Sequence, residues 1–323
     1  MGEKTSIHPV GGIDYPRTLE EFFTFFPDDA ACQHYLERLR WPEQFICPGC
    51  GGCSDSAWHS SRNLLLCPQC RRQVSVTAGT IFENTRKPLR LWFHAMWQLT
   101  SQKYGTNALG LQRILGLGSY VTAWAWLHKL RRAMVRPDRD RLFGPVEVDE
   151  SYVGGEEAGV HGRQTIKKAI VAIAVEMKKH GFGRIRLRNI PSVSGNNLTI
   201  FVSDVVQPGA VVQTDGWKGY SQLQSLGFIH EITVLSDSPD PAHVLMPGVH
   251  RVAALLKRWI LGTLQGGISK KHLPYYLDEF TFRFNRRTSR ALGLLFYRLI
   301  SQAVQTEHTL THELFTENSG GAK

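Results

Sequence analysis

The spacing of apolar and polar positions changes character several times along the chain, and each change predicts an element. Thr18-Leu-Glu-Glu21 places a hydroxyl and a carboxylate three residues apart, the spacing of a capping box, and predicts a short helix through Phe26. Asp28 or Asp29 can cap a second helix running to about Arg40. Trp58 to Leu66 reads as a hairpin arm, and residues 71–77 alternate with period two, as a strand does. Residues 88–135 read as helical, with Leu91, Phe93, Met96, Trp97 and Leu99 recurring closely enough to bury one face. Inside this stretch, Asn107–Leu115 and Tyr120–Leu130 are two helices joined by Gly116-Leu-Gly118-Ser119. Residues 136–145, with two prolines and mixed charges, read as a linker.

Beyond the linker the period shifts to two. Val146 to Val153 alternates, 168–177 is a continuous apolar strand, and 183–190 alternates again after a turn bracketed by Gly181 and Gly183. Ser194 to Val206 reads as a helix and Val211 to Asp215 as a short strand, followed at once by Gly216-Trp217-Lys218-Gly219-Tyr220 and another helix. Three meandering strands, a helix, a strand and more helices outline a ribonuclease-H-like α/β domain. Residues from about 305 are polar and read as a frayed tail.

Charge narrows the partners. With 38 Lys or Arg against 28 Asp or Glu, the chain carries +10 and a pI near 9.4, which points to a polyanion, nucleic acid first. No run of 18 apolar residues occurs, so no spanning helix and no membrane partner is expected. The first residues lack an apolar signal region, which argues against secretion.

The six cysteines carry the first chemistry. Cys47-Pro-Gly-Cys50 and Cys67-Pro-Gln-Cys70 are two matched CxxC pairs separated by 16 residues. Each pair turns two thiolates towards one point, and two pairs close a tetrahedron around Zn2+, a structural site with no open position. Cys53, three residues past Cys50, competes as a ligand, but the paired spacing favours Cys50. Cys32 lies in a predicted helix as a buried thiol. Intact thiolates and a metal imply a reducing, cytoplasmic location.

The two helices with their Gly turn have the outline of a helix-turn-helix, whose second helix would enter the major groove. That nominates Ser119, Tyr120 and Thr122 for base edges, with Lys129, Arg131, Arg132 and Arg136 behind them for phosphates. In the alternative, the same segment is an ordinary helical hairpin with core tryptophans. The chain is thus α+β and multidomain: N-terminal helices over 1–40, a zinc ribbon over 41–80, a helix-turn-helix-like segment over 81–136, the ribonuclease-H-like catalytic domain over 145–303 and a flexible tail over 304–323.

Asp149 and Asp215 each stand at the edge of an apolar strand, and those strands are neighbours in the outlined topology. Two such carboxylates need a cation, and hard oxygen ligands select Mg2+ or Mn2+. Two such ions about 4 Å apart serve phosphodiester chemistry. His250 and Lys257 are two helical turns apart and share a face, a metal-side group followed by a phosphate-binding cation. From residue 250 to 298, ten Lys or Arg face only Asp278 and Glu279, interleaved with Tyr275, Tyr276, Phe280, Phe282 and Phe284. This stretch, with Arg251, Arg258, Arg286 and Arg287, reads as a phosphate-binding surface. Glu147 shares the alternating face of Asp149, and Glu150 points the other way.

The blocks VEVDESYVGG, TDGWKGY, PGVHRVAALLKRWILGTLQG and LDEFTFRFNRR resemble the signature blocks of bacterial insertion-sequence transposases with a zinc-ribbon N-terminus and an ISXO2-like catalytic domain of the DDE type. The resemblance spans roughly residues 18 to 303 and implies metal-dependent DNA cleavage and strand transfer. By it, Asp149 is the first catalytic Asp, Asp215 the second, His250 stands where many members have Glu, and Lys257 is the basic partner seven residues on. It implies terminal inverted repeats and target DNA as partners, read by the ribbon and the helix-turn-helix, and a homo-oligomer to hold two ends. Lys218 joins Lys257 at the DNA backbone, and Trp217 packs under the site. Glu147, Glu150, Glu231, Asp237 and Asp240 are acids near the site in sequence that can substitute for the missing Glu. The departure at His250 keeps a second function in view: a zinc-ribbon, helix-turn-helix regulator descended from a transposase and impaired in cutting.

Overall fold

The computed structural model describes residues 8–54, 58–59, 64–136, 139–155, 167–234 and 239–315. The chain divides into two compact units, Met1–Met134 with Thr288–Lys323, and Val135–Arg287.

In the first unit the expected helices begin at their caps. The Thr18 hydroxyl accepts from the Glu21 N–H at 3.1 Å to open α1 (Leu19–Phe25), and Asp28 accepts from Ala31 at 2.8 Å to open α2 (Asp29–Arg40). The capping box is only half built, because Glu21 turns back to the Arg17 N–H at 2.7 Å. The ribbon follows as short strands. β1 (Phe45–Ile46) pairs antiparallel with β2 (Cys53–Ser54), and β3 (Trp58–His59), β4 (Leu65–Leu66) and β5 (Gln73–Val74) form an antiparallel set. The expected hairpin arm is thus β3 and β4, with residues 60–63 outside the described residues. Phe45, Cys47, Leu65, Cys67 and Val74 make the ribbon's small core.

The helical stretch forms α3 (Leu89–Ser101) and then the two expected helices, α4 (Ala108–Leu115) and α5 (Tyr120–Ala133). Asp29 of α2 caps α3 by accepting from Leu89 and Arg90 at 3.1 and 2.9 Å. Asn107 caps α4, which ends at the left-handed Gly116. Trp92 and Trp126 stack at 3.9 Å, so these tryptophans are core.

The second unit is a five-stranded sheet in the order β10-β9-β6-β7-β8. β6 (Pro145–Val153), β7 (Ala169–Met177) and β8 (Phe182–Ile190) form the antiparallel meander. α6 (Gly195–Val205) crosses to β9 (Val211–Asp215), parallel to β6, and β10 (Ile229–Thr233) runs parallel to β9. The helix expected after Asp215 is not formed: two short 3-10 turns, at Lys218–Tyr220 and Gln224–Leu226, lead into β10 instead. Gly216 and Gly219 deny that segment helix propensity. The predicted linker is also more than a connection, because Leu142 is fully buried and bonds Val205 and Gln207 through its backbone at 2.7 and 2.8 Å.

The sheet buries both faces. Val146, Val148, Ala172, Ala174 and Val212 pack under α6, while Val171, Ile173, Val175 and Ile185 pack under the helices that follow α7 (Ala242–Leu245), namely α8 (Pro247–Leu264) and α9 (Leu273–Asn285). At the edge strand β8, Asn285 of α9 accepts from the Ile185 N–H at 2.7 Å and donates to its carbonyl at 3.2 Å, standing in for a further strand.

The catalytic domain expected over 145–303 therefore ends earlier. α10 (Leu292–Ala303) belongs to the first unit, where fully buried Phe296 meets the rings of Phe22, Phe26, Phe93 and Trp97 at 5.7 to 6.0 Å. A Cβ on Gly293 would stand 1.7 Å from the Pro16 carbonyl oxygen, so only glycine permits this approach. The expected tail is partly docked as well. α11 (Thr311–Phe315) buries Leu314 and sets Phe315 4.8 Å from Trp124, and residues 316–323 lie outside the described ones.

Candidate active site and metal centre

The two CxxC knuckles are near copies. Gly51 donates its N–H to the Cys47 carbonyl at 2.9 Å, and Arg71 donates to that of Cys67 at 3.0 Å. Both residues take left-handed backbone, φ 70° and 62°. The sulfurs of Cys47, Cys50, Cys67 and Cys70 all lie within 4.8 Å of one another, and the Cys47–Cys70 and Cys50–Cys67 pairs are each 3.7 Å apart. A zinc–sulfur tetrahedron with bonds of about 2.3 Å has edges of about 3.8 Å, so the donor set fits Zn2+. Against the cost of burial, the N–H groups of Cys50 and Gly49 and the Cys70 and Cys67 thiols lower the Cys47 thiol, towards the thiolate a metal binds, while against the Gly52 N–H the neighbouring thiols push Cys50 up. Cys53 is exposed and stands outside the cluster, and Cys32 is buried with its thiol pushed up to about 12 by burial.

The aspartates stand on neighbouring strands. β6 and β9 run parallel and pair from Pro145–Val211 to Glu147–Gln213, and Asp149 and Asp215 each follow that last pair by two residues. One oxygen of each is oriented by backbone: Asp149 accepts from Glu150 at 2.8 Å, and Asp215 from Trp217 at 3.1 Å. Trp217 also donates its ring N–H to the Val193 carbonyl at 3.2 Å and packs against the α6 core, as expected. Fully buried Tyr220 donates to Glu150 at 3.1 Å. Burial and the charges of Glu150, Asp149 and Asp215 raise its ionisation well above 10, so it stays a neutral donor beside three acids.

Glu147 does different work. It is 1% exposed, and its carboxylate accepts from the Val249 N–H at 3.0 Å and from that of Gly248. A strand acid thus caps the N-terminus of α8, where the helix dipole favours negative charge. Gly248 allows the approach, since a Cβ there would lie 2.8 Å from the Glu147 carboxylate. The contact fixes the first turn of α8, and His250 is the next residue. His250 Nε2 is buried without a hydrogen-bond partner among the described residues. Burial, with His243 and Lys257 nearby, keeps its ring below the ordinary 6.5, in the neutral form that can ligate a metal or take a proton. Two hard carboxylates suit Mg2+ or Mn2+. Among the described residues, however, the four cysteines are the one group of three or more metal-ligating side chains whose ligand atoms converge, so His250 does not close a set with the aspartates.

Residues 141–285 match the ISXO2-like transposase domain, and residues 27–73 match the transposase zinc-ribbon domain; both are IS1595 domains, and together they cover more than half of the chain. Over 280 residues the chain is 28% identical to a protein in the transposable element ISH50 of Halobacterium salinarum, covering 80% of this chain and 91% of that one. The chain belongs to the IS1595 group of transposases. Among solved structures, it aligns with a chain of the simian T-cell lymphotropic virus intasome bound to PP2A regulatory subunit B56 gamma at 13% identity and a TM-score of 0.28, covering 56% of this chain and 66% of that one. It aligns with a chain of the Mos1 strand transfer complex at 12% identity and a TM-score of 0.23, covering 62% and 78%.

The basic residues of this transposase divide into exposed and engaged. Lys218, Arg251, Lys257 and Arg258 are exposed. Lys257 lines a cavity of about 530 Å3 together with Lys167, Lys168 and Lys270. In the first unit Tyr120 is exposed at the start of α5, Thr122 is half-buried and Arg132 is exposed. Arg131 is a correction: it is 1% exposed, turned into the helical unit and away from any phosphate, and Lys129 is buried beside it on the same helix. Arg287 spends its guanidinium on the carbonyls of Phe182, Gly183 and Phe284, and Arg286 lies 4.0 Å over the Phe282 ring. The aromatics between these cations are core as well, since Tyr276, Phe280, Phe282 and Phe284 are buried. The exposed cations of residues 250–298 are therefore those of α8 and its following loop and the carbonyl-bound Arg287, with Arg290 and Arg298 in the other unit.

Of the further acids, Glu231 is exposed on β10 and Asp240 is exposed, while Asp237 lies outside the described residues. The role of Tyr220 left no trace in the sequence pattern. Glu147 did: an acid between Val146 and Val148 on a strand buried on both faces needs a partner.

Proposed function

We propose that this chain is the DNA transposase of an insertion sequence: it binds the terminal inverted repeats, cuts a phosphodiester at the element's end and joins the freed 3′-hydroxyl to target DNA. The reading rests on one observation above the others, Asp149 and Asp215 on two neighbouring parallel strands within the stretch that matches the ISXO2-like transposase domain. The sheet order, a three-stranded meander followed through α6 by two parallel strands, supports a ribonuclease-H-like domain.

A divalent cation bound at the aspartates supplies the charge that activates the attacking oxygen and steadies the leaving one. Asp149 and Asp215 would hold it, each carboxylate oriented by the N–H of Glu150 or Trp217. Tyr220 holds Glu150 in place with a hydroxyl that stays protonated. His250 offers its open Nε2 as a further ligand or as a proton acceptor. Lys257, on the same helix, neutralises DNA phosphate at the lysine-lined cavity, and Lys218, Arg251 and Arg258 extend that contact. The helix-turn-helix pair α4 and α5 presents Tyr120 and Thr122 to base edges and Arg132 to the backbone, alongside the zinc ribbon. Two element ends held together call for a homo-oligomer.

The test uses a plasmid with the natural flanking DNA of this reading frame, the purified chain, and Mg2+ or Mn2+. New 3′ ends are mapped for the wild type and for Asp215→Ala. Breaks at the repeat boundaries, lost in the variant, are expected. A second reading, a DNA-binding regulator impaired in cutting, is favoured by the failure of His250 to converge with the aspartates. Repeat-specific binding with no break in either metal would select it.

A further inference from the structure

A second cavity, of about 300 Å3, opens at the edge of the sheet, with Arg139, Arg141, Arg186 and Arg188 in its lining beside Asp140 and Asp204. β8 is the edge strand, and its alternate residues Arg184, Arg186 and Arg188 share a face. That face is the one under α6: Arg188 lies 5.6 Å over the Phe201 ring and pairs with Asp204 at 2.8 Å. Glu147, and by alternation Asp149, take the opposite face, under α8. The cavity is thus separate from the acid pair, across the sheet and two strands away.

Its charges do not balance. Asp204 is taken by Arg188, and Glu176 by Arg184 at 2.6 Å. Asp140 stands 3.7 Å from Arg184 and 3.9 Å from Arg136. Among the described residues no carboxylate reaches ion-pair distance of Arg139, Arg141 or Arg186. Arg186 is the telling one. It is 3% exposed and, among the described residues, donates to two carbonyls, those of Ile185 at 2.9 Å and Asp140 at 2.6 Å. Its Nε is buried with no partner among the described residues. A buried guanidinium with no carboxylate at ion-pair distance is costly, and here burial and the neighbouring Arg139 and Arg184 push its proton affinity down to about 10 against the weaker pull of Glu176 and Asp140. Several guanidinium forks around one cavity suit the tetrahedral oxygens of a phosphate.

We propose that this cavity is a phosphate-binding site, with Arg186 buried within it and Arg139, Arg141 and Arg188 around it. Its source of phosphate, resting on the function proposed above, is the backbone of duplex DNA passing over the α6 face of the sheet. Free polyphosphate shares the chemistry and is separated by the test.

The full chain is compared with the Arg139→Ala/Arg141→Ala variant, which breaks no ion pair among the described residues and leaves Arg186 in place. In the first arm, millimolar inorganic pyrophosphate raises the melting temperature of the wild type by a few degrees and leaves the variant unmoved. In the second, DNA binding is titrated against salt on duplexes with and without the terminal repeats. The variant is expected to flatten the salt slope by roughly 2, equally on both duplexes. A flattened slope supports DNA as the ligand. Loss of the pyrophosphate shift with an unchanged slope keeps the site and overturns DNA as its occupant. No pyrophosphate shift in the wild type together with an unchanged slope overturns the site. A wild type that binds no DNA sinks the transposase reading, and the pyrophosphate arm still decides the cavity.

Discussion

In the zinc ribbon, four sulfurs meet from two knuckles 16 residues apart, each knuckle shaped by its own backbone hydrogen bonds. In the sheet unit, Asp149 and Asp215 come onto neighbouring strands only because β6 and β9 pair in parallel after a meander and a helix have intervened. The ribbon buries only a handful of apolar residues, whereas the sheet packs a core on each face. A small core needs a metal to hold it. A large one can hold a pair of like charges on neighbouring strands before any cation arrives. The first site is therefore held by its ligand, and the second by its scaffold.

The strongest way to break this contrast is to remove one sulfur. Cys67→Ser is expected to drop bound zinc from about one per chain to near zero, because structural zinc contributes about 10–16 kcal/mol to folding such a domain. Zinc release by a colorimetric chelator measures the first effect, and proteolysis within residues 41–80 measures the loss of structure. The sheet unit should keep its melting transition. If it melts with the ribbon, the two are not separate scaffolds. Cys53→Ser, outside the cluster, should leave the zinc content unchanged.

The scaffold has its own weak point at Glu147. Glu147→Ala leaves the Gly248 and Val249 N–H groups buried without an acceptor and empties the carboxylate's place, at a cost of about 3 kcal/mol. Glu147→Gln keeps one acceptor and should lose about 1 kcal/mol. Denaturant melts of the two variants give the comparison, and equal losses would mean that the carboxylate is not what seats α8.

These two regions also differ in how far they could be read from the sequence. The ribbon was legible almost entirely, because its ligands, turns and core lie within one short stretch. The strands β6 to β9 were legible too, from the change of period at residue 146, and with them the place of Asp149 and Asp215 on neighbouring strands. What escaped was everything that depends on distant partners. Glu147 meets a residue 102 positions away, and Phe296 joins a core whose other rings come from α1 and α3. Arg131 and Arg287 have the composition of a DNA surface, but Arg131 is buried and Arg287, though exposed, spends its guanidinium on the protein's own carbonyls. β10 was missed because it is a half-exposed edge strand with no apolar run, behind a glycine-rich turn.

A second carboxylate, on the strand beside Glu147, tests the scaffold by pH. Glu176 accepts from Arg184 at 2.6 Å and from the Phe143 N–H. Burial opposes ionisation there, but the Arg184 hydrogen bonds win and hold the carboxyl below its ordinary 4.5. Its folded value is depressed, so its contribution is complete above pH 4.5 and is lost as the pH falls through the folded value. Arg184 is 39% exposed, which screens the pair and limits it to about 1 kcal/mol. Between pH 7 and pH 3, Glu176→Gln should close the gap to the wild type, as followed by urea melts. A constant gap would assign the loss to packing.

The smallest effect sharpens the ribbon's own symmetry. Gly51 and Arg71 occupy the same place after their knuckles, both in left-handed backbone, yet only one is glycine. For a side chain that conformation costs about 1 kcal/mol, offset in part because glycine has more freedom to lose on folding. No metal contact depends on the Arg71 side chain. Arg71→Gly should therefore raise the ribbon's stability by about 0.5 kcal/mol and slow zinc release to a competing chelator, with the zinc stoichiometry unchanged. The reciprocal Gly51→Arg places the strain in the other knuckle and should speed release. If both substitutions move the rate the same way, the two knuckles do not share one backbone requirement, and the ribbon is not built from two equivalent halves.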